Sequence, residues 1–195
     1  MGGEGALIDA FNFAFSLFAI ILGLALVEVL TGFARALKRR RVVHLGWLTP
    51  LAAIFVMLDL TSFWESSWGS RRFVSPQYGY LLIGLFVSAL YYLAASVIFP
   101  SEFGERADFD AHYVQHRRQV FGAIAICDLI QMGPVLIIRA SEIPGRVWVE
   151  NALQLSALVT CIVSRSKRAS IAALSILIAI YLYTAVMSFV QPVPL

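Results

Sequence analysis

Four acidic side chains lie inside hydrophobic stretches of this chain, and they are Glu28, Asp59, Asp128 and Glu150. An Asp at the centre of a membrane-spanning helix costs about 2.5–3.5 kcal/mol on insertion scales, so such groups face protein or water and mark proton or ion pathways. Gln131 follows Asp128 by three residues and shares its helical face. Gln154 follows Glu150 by four residues and does the same. These six residues form the candidate site, and the chemistry they suggest is the handling of protons or small cations.

Asp59 and Asp128 each fall near the middle of a predicted membrane-spanning helix. Gly133 and Pro134 follow Asp128, and such a pair frees backbone carbonyls and bends a spanning helix. An acid beside a helix break suits a gate or a binding site, so we assign Asp59 and Asp128 as proton or ion sites. The alternative is structural: both acids are neutral and hydrogen-bonded, or paired with the end of another helix.

Glu28 and Glu150 lie closer to the ends of their predicted helices. If the acids are functional, these two act as relays at the inner and outer ends of the path. If they are structural, Glu28 pairs with Arg35, two helical turns away, and Glu150 is solvated or pairs with Arg146. The polar faces of helices one, two, four and five could then meet in one polar core.

The composition predicts an all-α integral membrane protein. Hydrophobic residues make up 59% of the 195 residues and charged residues 14%, against about 25% charged in soluble domains. Six apolar segments are long enough to cross about 30 Å of hydrocarbon. They lie at about 8–37, 47–68, 78–99, 119–138, 148–163 and 171–190. Residues 1–195 are therefore predicted to form a single polytopic transmembrane domain with short loops.

Basic residues divide unevenly between the two sides that six spans create. Eleven lie on one side, namely Arg35, Lys38, Arg39, Arg40, Arg41, Arg106, Arg117, Arg118, Arg165, Lys167 and Arg168. Four lie on the other, namely Arg71, Arg72, Arg139 and Arg146. Because cytoplasmic loops carry the excess of Lys and Arg, both termini are predicted on the non-cytoplasmic side. The excess of Arg over Lys further suggests a bacterial inner (plasma) membrane.

The connection before the fourth span contains the only arrangement typical of a metal site. His112 and His116 are four residues apart with Asp108 one turn earlier, and two His with a carboxylate can hold Zn²⁺. No fourth ligand accompanies them, so we predict no metal and no other cofactor. On the alternative interpretation, Asp108 or Asp110 caps an interfacial helix whose His and Arg side chains lie at lipid headgroups.

Two functions remain, and neither is enzymatic, because the chain has no Gly-rich phosphate loop, no GxSxG and no CxxC. The first is a channel or transporter for protons or a small cation. The second is a non-catalytic accessory, assembly or scaffold subunit of a larger membrane complex. The expected partners are the lipid bilayer and either another membrane protein or copies of this chain, through the small residues Gly84, Ser88 and Ala95. Nucleic acid is not expected, and helix six, without charged residues, is predicted to face lipid or to pack.

Overall fold

The computed structural model of the protein consists of six α-helices. These are α1 (Gly2–Lys38), α2 (Leu48–Gly69), α3 (Tyr78–Ile98), α4 (Phe109–Ile138), α5 (Gly145–Val163) and α6 (Lys167–Val190). The structure describes residues 2–40, 46–69, 77–100, 108–138, 141 and 143–190, without the side chains of 2–10, 136 and 138. No β-strand occurs within these ranges, so the all-helical prediction is confirmed.

Four helical stretches are long and apolar enough to cross a membrane. They are Phe11–Lys38, Leu48–Gly69, Tyr78–Ile98 and Lys167–Val190. A helix suits hydrocarbon because it satisfies its own backbone hydrogen bonds. The predicted bounds agree within about four residues for α2, α3, α5 and α6. The four stretches are consistent with a membrane protein.

The fourth helix is longer than predicted, because it begins at Phe109 and not near residue 119. Residues 109–118 contain neither Gly nor Pro, so nothing interrupts the helix. Asp108 caps its start, since Oδ1 accepts hydrogen bonds from the backbone N–H groups of Asp110 at 2.9 Å and Ala111 at 3.2 Å. The predicted cap is therefore confirmed, but the helix it starts is continuous with α4.

The helices form a closed ring in the order α1, α3, α4, α5, α6, α2. Helix α2 also contacts α3 and α4 across the ring, so it has more helix neighbours than any other described element. Glycines allow close approach of α1 to α3. A Cβ at Gly84 would overlap the ring of Phe18, and a Cβ at Gly32 would overlap the ring of Phe99 at the end of α3.

One hydrophobic core runs through the bundle. Its fully buried members include Leu22, Phe55, Tyr91, Phe121, Ile124, Leu158, Leu174 and Leu177. All six helices contribute to this list, so each has one face turned inward. The opposite faces carry exposed Leu, Ile, Val and aromatic side chains, which suits helices surrounded by lipid.

Asp110 joins three helix starts at one end of the bundle. Its Oδ1 accepts a hydrogen bond from the backbone N–H of Leu48 at 3.0 Å, which caps α2. Its Oδ2 forms an ion pair with Lys167 at the start of α6. Gly46 turns into α2 with a φ of 56°, and any side chain there would strike the Asp110 carboxylate. The first and second halves of the chain are thus connected here.

Candidate functional site

Asp59 is the centre of a polar cluster in the interior of the bundle. It lies on α2 and is only 2% exposed. The hydroxyl of Tyr91, on α3, donates a hydrogen bond to Oδ2 at 2.8 Å. The hydroxyl of Tyr181, on α6, donates one to Oδ1 at 2.5 Å. Both carboxylate oxygens therefore accept an O–H bond, which is an arrangement that satisfies an ionised carboxylate in a buried position.

A chain of hydrogen bonds connects Asp59 to Asp128. Gln154, on α5, donates from Nε2 to the hydroxyl oxygen of Tyr181 at 3.0 Å. The same nitrogen lies 3.4 Å from Oδ2 of Asp128 on α4, at the long end of the range for a hydrogen bond. With Tyr91 included, side chains from five helices meet in this cluster. Asp128 is held less tightly than Asp59, because it has one long bond and Asp59 has two short ones.

The cluster opens into a cavity of about 290 Å³ between α2, α4, α5 and α6. Its polar lining comprises Asp59, Ser62, Ser66, Tyr91, Asp128, Gln131, Glu150, Asn151, Gln154, Tyr181 and Thr184. Three of these residues are acidic, and no Lys or Arg lines the cavity in the described part of the chain. The charged part of the lining is therefore acidic, which favours cations over anions.

The cavity extends from Asp59 toward one end of the bundle. Its wall continues from Asp59 to Ser66 near the end of α2, and includes Val147 near the start of α5. One turn before Asp59, the buried ring of Phe55 stacks on Phe121 with centroids 5.8 Å apart. Neither ring lines the polar cavity, so both belong to the apolar core beside it.

Five of the six predicted site residues line this one cavity, and they are Asp59, Asp128, Gln131, Glu150 and Gln154. Glu150 also pairs with Arg146, whose Nε lies 2.7 Å from its Oε1. Glu28 does not line the cavity. It lies on α1, with its Oε1 4.0 Å from a guanidinium nitrogen of Arg35, so the two ion pairs that the sequence suggested for the glutamates are both present.

Sequence reasoning missed Tyr91 and Tyr181. Helix six was expected to face lipid or to pack, and it does pack through Leu174 and Leu177, yet Tyr181 is the residue that joins Asp59 to Gln154. A tyrosine away from the membrane interfaces is the only signal in the sequence, because a buried phenol hydroxyl needs a partner.

The predicted weak metal candidates are engaged in other contacts. Nε2 of His112 lies 2.9 Å from the carbonyl oxygen of Val97, and Nδ1 of His116 lies 3.0 Å from the carbonyl oxygen of His112. Asp108 is the helix cap described above. Burial, with a smaller contribution from the neighbouring His116, lowers the pKa of His112 below its ordinary value of 6.5. Within the described residues, no group of three or more His, Cys, Asp or Glu side chains could hold a metal ion.

The alternative interpretation also placed the basic side chains of this segment at lipid headgroups. Arg117 does not fit it, because its side chain is buried. One guanidinium nitrogen of Arg117 lies 3.5 Å from the carbonyl oxygen of Val163, at the end of α5. A cation near the carbonyl end of a helix is favourably placed, so Arg117 attaches the first part of α4 to α5.

Comparison of the chain with family models, with curated proteins and with solved structures finds no match. The functional argument therefore depends on the geometry of the cavity alone.

Proposed function

We propose that this chain is a membrane transport protein, a channel or transporter, that moves protons or a small cation by way of Asp59 and Asp128. The observation that carries the proposal is the hydrogen-bonded path between these two acids, in one cavity that no Lys or Arg of the described ranges lines. An unpaired acid within the span of a membrane protein is costly and is typical of ion and proton pathways.

The two acids have different roles in this proposal. Asp59 is fixed by two tyrosine hydroxyls, so it supplies a permanent acceptor at the deep end of the cavity. Asp128 is bound by one long contact and can exchange its partner for a proton or a cation. Glu150 lies on the cavity wall nearer the start of α5, where its ion pair with the exposed Arg146 makes it the outer relay. Glu28, which does not line the cavity, would act as the relay at the inner end of the path.

The proposed topology has all six helices spanning the membrane, with α4 and α5 included because they carry most of the polar lining. Both termini are on the non-cytoplasmic side, as the distribution of Lys and Arg predicts. The cavity then faces outward, and the buried, stacked rings of Phe55 and Phe121 would act as an aromatic plug between it and the cytoplasm. Opening this plug is the step that would complete a path. We propose the inner membrane of a bacterium as the location.

The test is flux of H⁺, Na⁺ and K⁺ into proteoliposomes, measured for each ion between about pH 5 and pH 8. Asp128→Asn removes the ionisable group but keeps its size, and we expect it to abolish flux. Glu65→Gln is the matched control, because Glu65 is exposed on α2 and does not line the cavity. Normal flux in Asp128→Asn would refute the assignment of this site. No flux for any ion from folded protein would favour the accessory-subunit alternative.

A further inference from the structure

The polar cavity is large for the ion that it was proposed to carry. Its volume of about 290 Å³ is close to the lower limit of about 300 Å³ for pockets that bind small organic molecules. A single bare metal cation is held by a close set of oxygen ligands and needs less space than this. The volume therefore leaves room for a small organic ligand in the same site.

The lining of the cavity selects a positively charged group. Asp128 lies on its wall with a single long hydrogen bond, and the partly exposed Tyr181 lines the same space. Carboxylates attract a cation directly, and aromatic faces attract an alkylated ammonium through their negative quadrupole. An anion would meet three acidic residues and no lining base among the described residues.

A second, apolar cavity of about 200 Å³ adjoins the polar one. Five of its twelve lining residues are aromatic, among them Phe11, Phe15, Phe18 and Tyr80. Phe63 and Gln131 line both cavities, so they are the shared wall. The ring of Phe63 packs against Tyr91 at 5.4 Å between centroids, and Tyr91 binds Asp59. Apolar and acidic surfaces are therefore contiguous at Phe63.

We propose that the ligand of this site is an amphiphilic organic cation, with an ammonium group and an attached aromatic ring. The ammonium group lies beside Asp128 in the polar cavity. The aromatic ring lies against Phe63, toward the apolar cavity. This inference rests on the proposed transport function and names the substrate class of the same site.

Benzyltrimethylammonium is the probe that matches this description. Its binding to the purified full-length protein in detergent is measured by isothermal titration calorimetry. Tetramethylammonium carries the same charge without the ring, and N,N-dimethylbenzamide carries a ring without the charge. We expect tetramethylammonium to bind about 10- to 100-fold more weakly, as expected for the loss of one buried aromatic ring. We expect no measurable binding of the neutral amide.

Two variants assign the two parts of the ligand. Asp128→Asn is expected to weaken benzyltrimethylammonium binding at least about tenfold, as for the loss of a charge-assisted contact. Phe63→Leu is expected to remove most of the preference for benzyltrimethylammonium over tetramethylammonium, measured as the ratio of the two dissociation constants. Glu65→Gln is expected to bind like the unmodified protein, and circular dichroism checks that each variant is folded.

Three results would overturn the inference: no binding of benzyltrimethylammonium, equal binding of the neutral amide, or equal binding of tetramethylammonium. Ion flux measured on the same preparation separates this failure from failure of the proposed function. Flux that depends on Asp128, without binding of the organic cation, keeps the proton or ion pathway and removes the organic ligand. Binding with the expected dependence on charge and ring, but without flux of H⁺, Na⁺, K⁺ or benzyltrimethylammonium, supports the ligand class and removes transport.

Discussion

The hydroxyl of Tyr181 should contribute measurably to the stability of the bundle, and Tyr181→Phe removes it with almost no change in shape. The hydroxyl donates to a carboxylate that is 2% exposed, at 2.5 Å. Hydrogen bonds to charged groups contribute about 1.5–3 kcal/mol, whereas bonds between membrane helices average about 0.6 and reach about 1.7 kcal/mol. The short distance and the burial place this bond near the upper membrane value. We therefore expect Tyr181→Phe to lower the free energy of unfolding by about 1.5 kcal/mol.

The second tyrosine makes the test stricter. Tyr91→Phe alone leaves Asp59 with one donor, but the double variant leaves it with none from either tyrosine. We expect the loss in the double variant to exceed the sum of the single losses by about 0.5 kcal/mol or more, because the two sites share one carboxylate.

The assay is unfolding in mixed micelles with increasing mole fraction of sodium dodecyl sulfate, followed by circular dichroism. Tyr183→Phe is the matched control. Tyr183 lies two residues further along α6, is 47% exposed and does not line the polar cavity. Tyr183→Phe should therefore change the free energy of unfolding by no more than about 0.5 kcal/mol. If Tyr181→Phe and Tyr183→Phe unfold at the same mole fraction of detergent, Tyr181 does not hold Asp59, and the described path is wrong.

Three further changes test other parts of the fold. Gly32→Ala should destabilise the protein by about 1–3 kcal/mol, because the new methyl group would overlap the ring of Phe99 at the end of α3. Gly23→Ala, with nothing within 4 Å, should stabilise it by about 0.5–1 kcal/mol. If detergent unfolding ranks the two variants the other way, α1 does not approach α3 closely at Gly32. Burial lowers the pKa of His112 below 6.5 in the folded protein. At a pH just below 6.5 the histidine is therefore protonated more in the unfolded chain than in the folded one, so Tm should fall as the pH drops below about 6.5. A His112→Gln variant with the same pH dependence of Tm would exclude this histidine as its source. Asp110→Ala should lower the free energy of unfolding by about 1 kcal/mol more than Asp110→Asn does, because Asn keeps an acceptor for the N–H of Leu48. Equal thermal stability of the two variants would argue that Asp110 does not cap α2.

Most of the polar cavity could be predicted from residue type. Asp59 and Asp128 stand out because a carboxylate in an apolar stretch is costly and rare. Helical spacing places Gln131 on the same face as Asp128, and Gln154 on the same face as Glu150. The helices themselves were predicted from apolar segments that are long enough to cross a membrane. These inferences need no knowledge of which helices are neighbours.

The remainder of the site depends on helix neighbours, which sequence does not reveal. Glu28 was grouped with the other acids on chemistry alone, but α1 contributes no lining residue to the polar cavity among those described. Tyr181 was missed for the converse reason, because tyrosine is an ordinary residue of spanning helices. Its role appears only once α6 is placed beside α2.

The small residues of helix three show the same dependence on neighbours. They were expected to offer a face for another copy of the chain. In the structure Ser88 and Ala95 are buried inside the chain, and Gly84 lies against Phe18 of α1. Close packing of small residues is therefore used within the bundle, and this face is not free for oligomer formation.

The ring order of the helices has a consequence for biogenesis. Helix α6 is the last to be synthesised, and it closes the ring by packing against α2 and α5. During synthesis α2 therefore enters the membrane before its neighbour α6 exists. In a nascent chain that ends before Lys167, Asp59 lacks the hydroxyl of Tyr181, and Asp110 lacks its ion-pair partner. The emerging bundle must therefore tolerate an incompletely solvated acid until translation is complete. A chain truncated before α6 therefore leaves Oδ1 of Asp59 without its tyrosine donor, and completion of the last helix is the step that satisfies the acid.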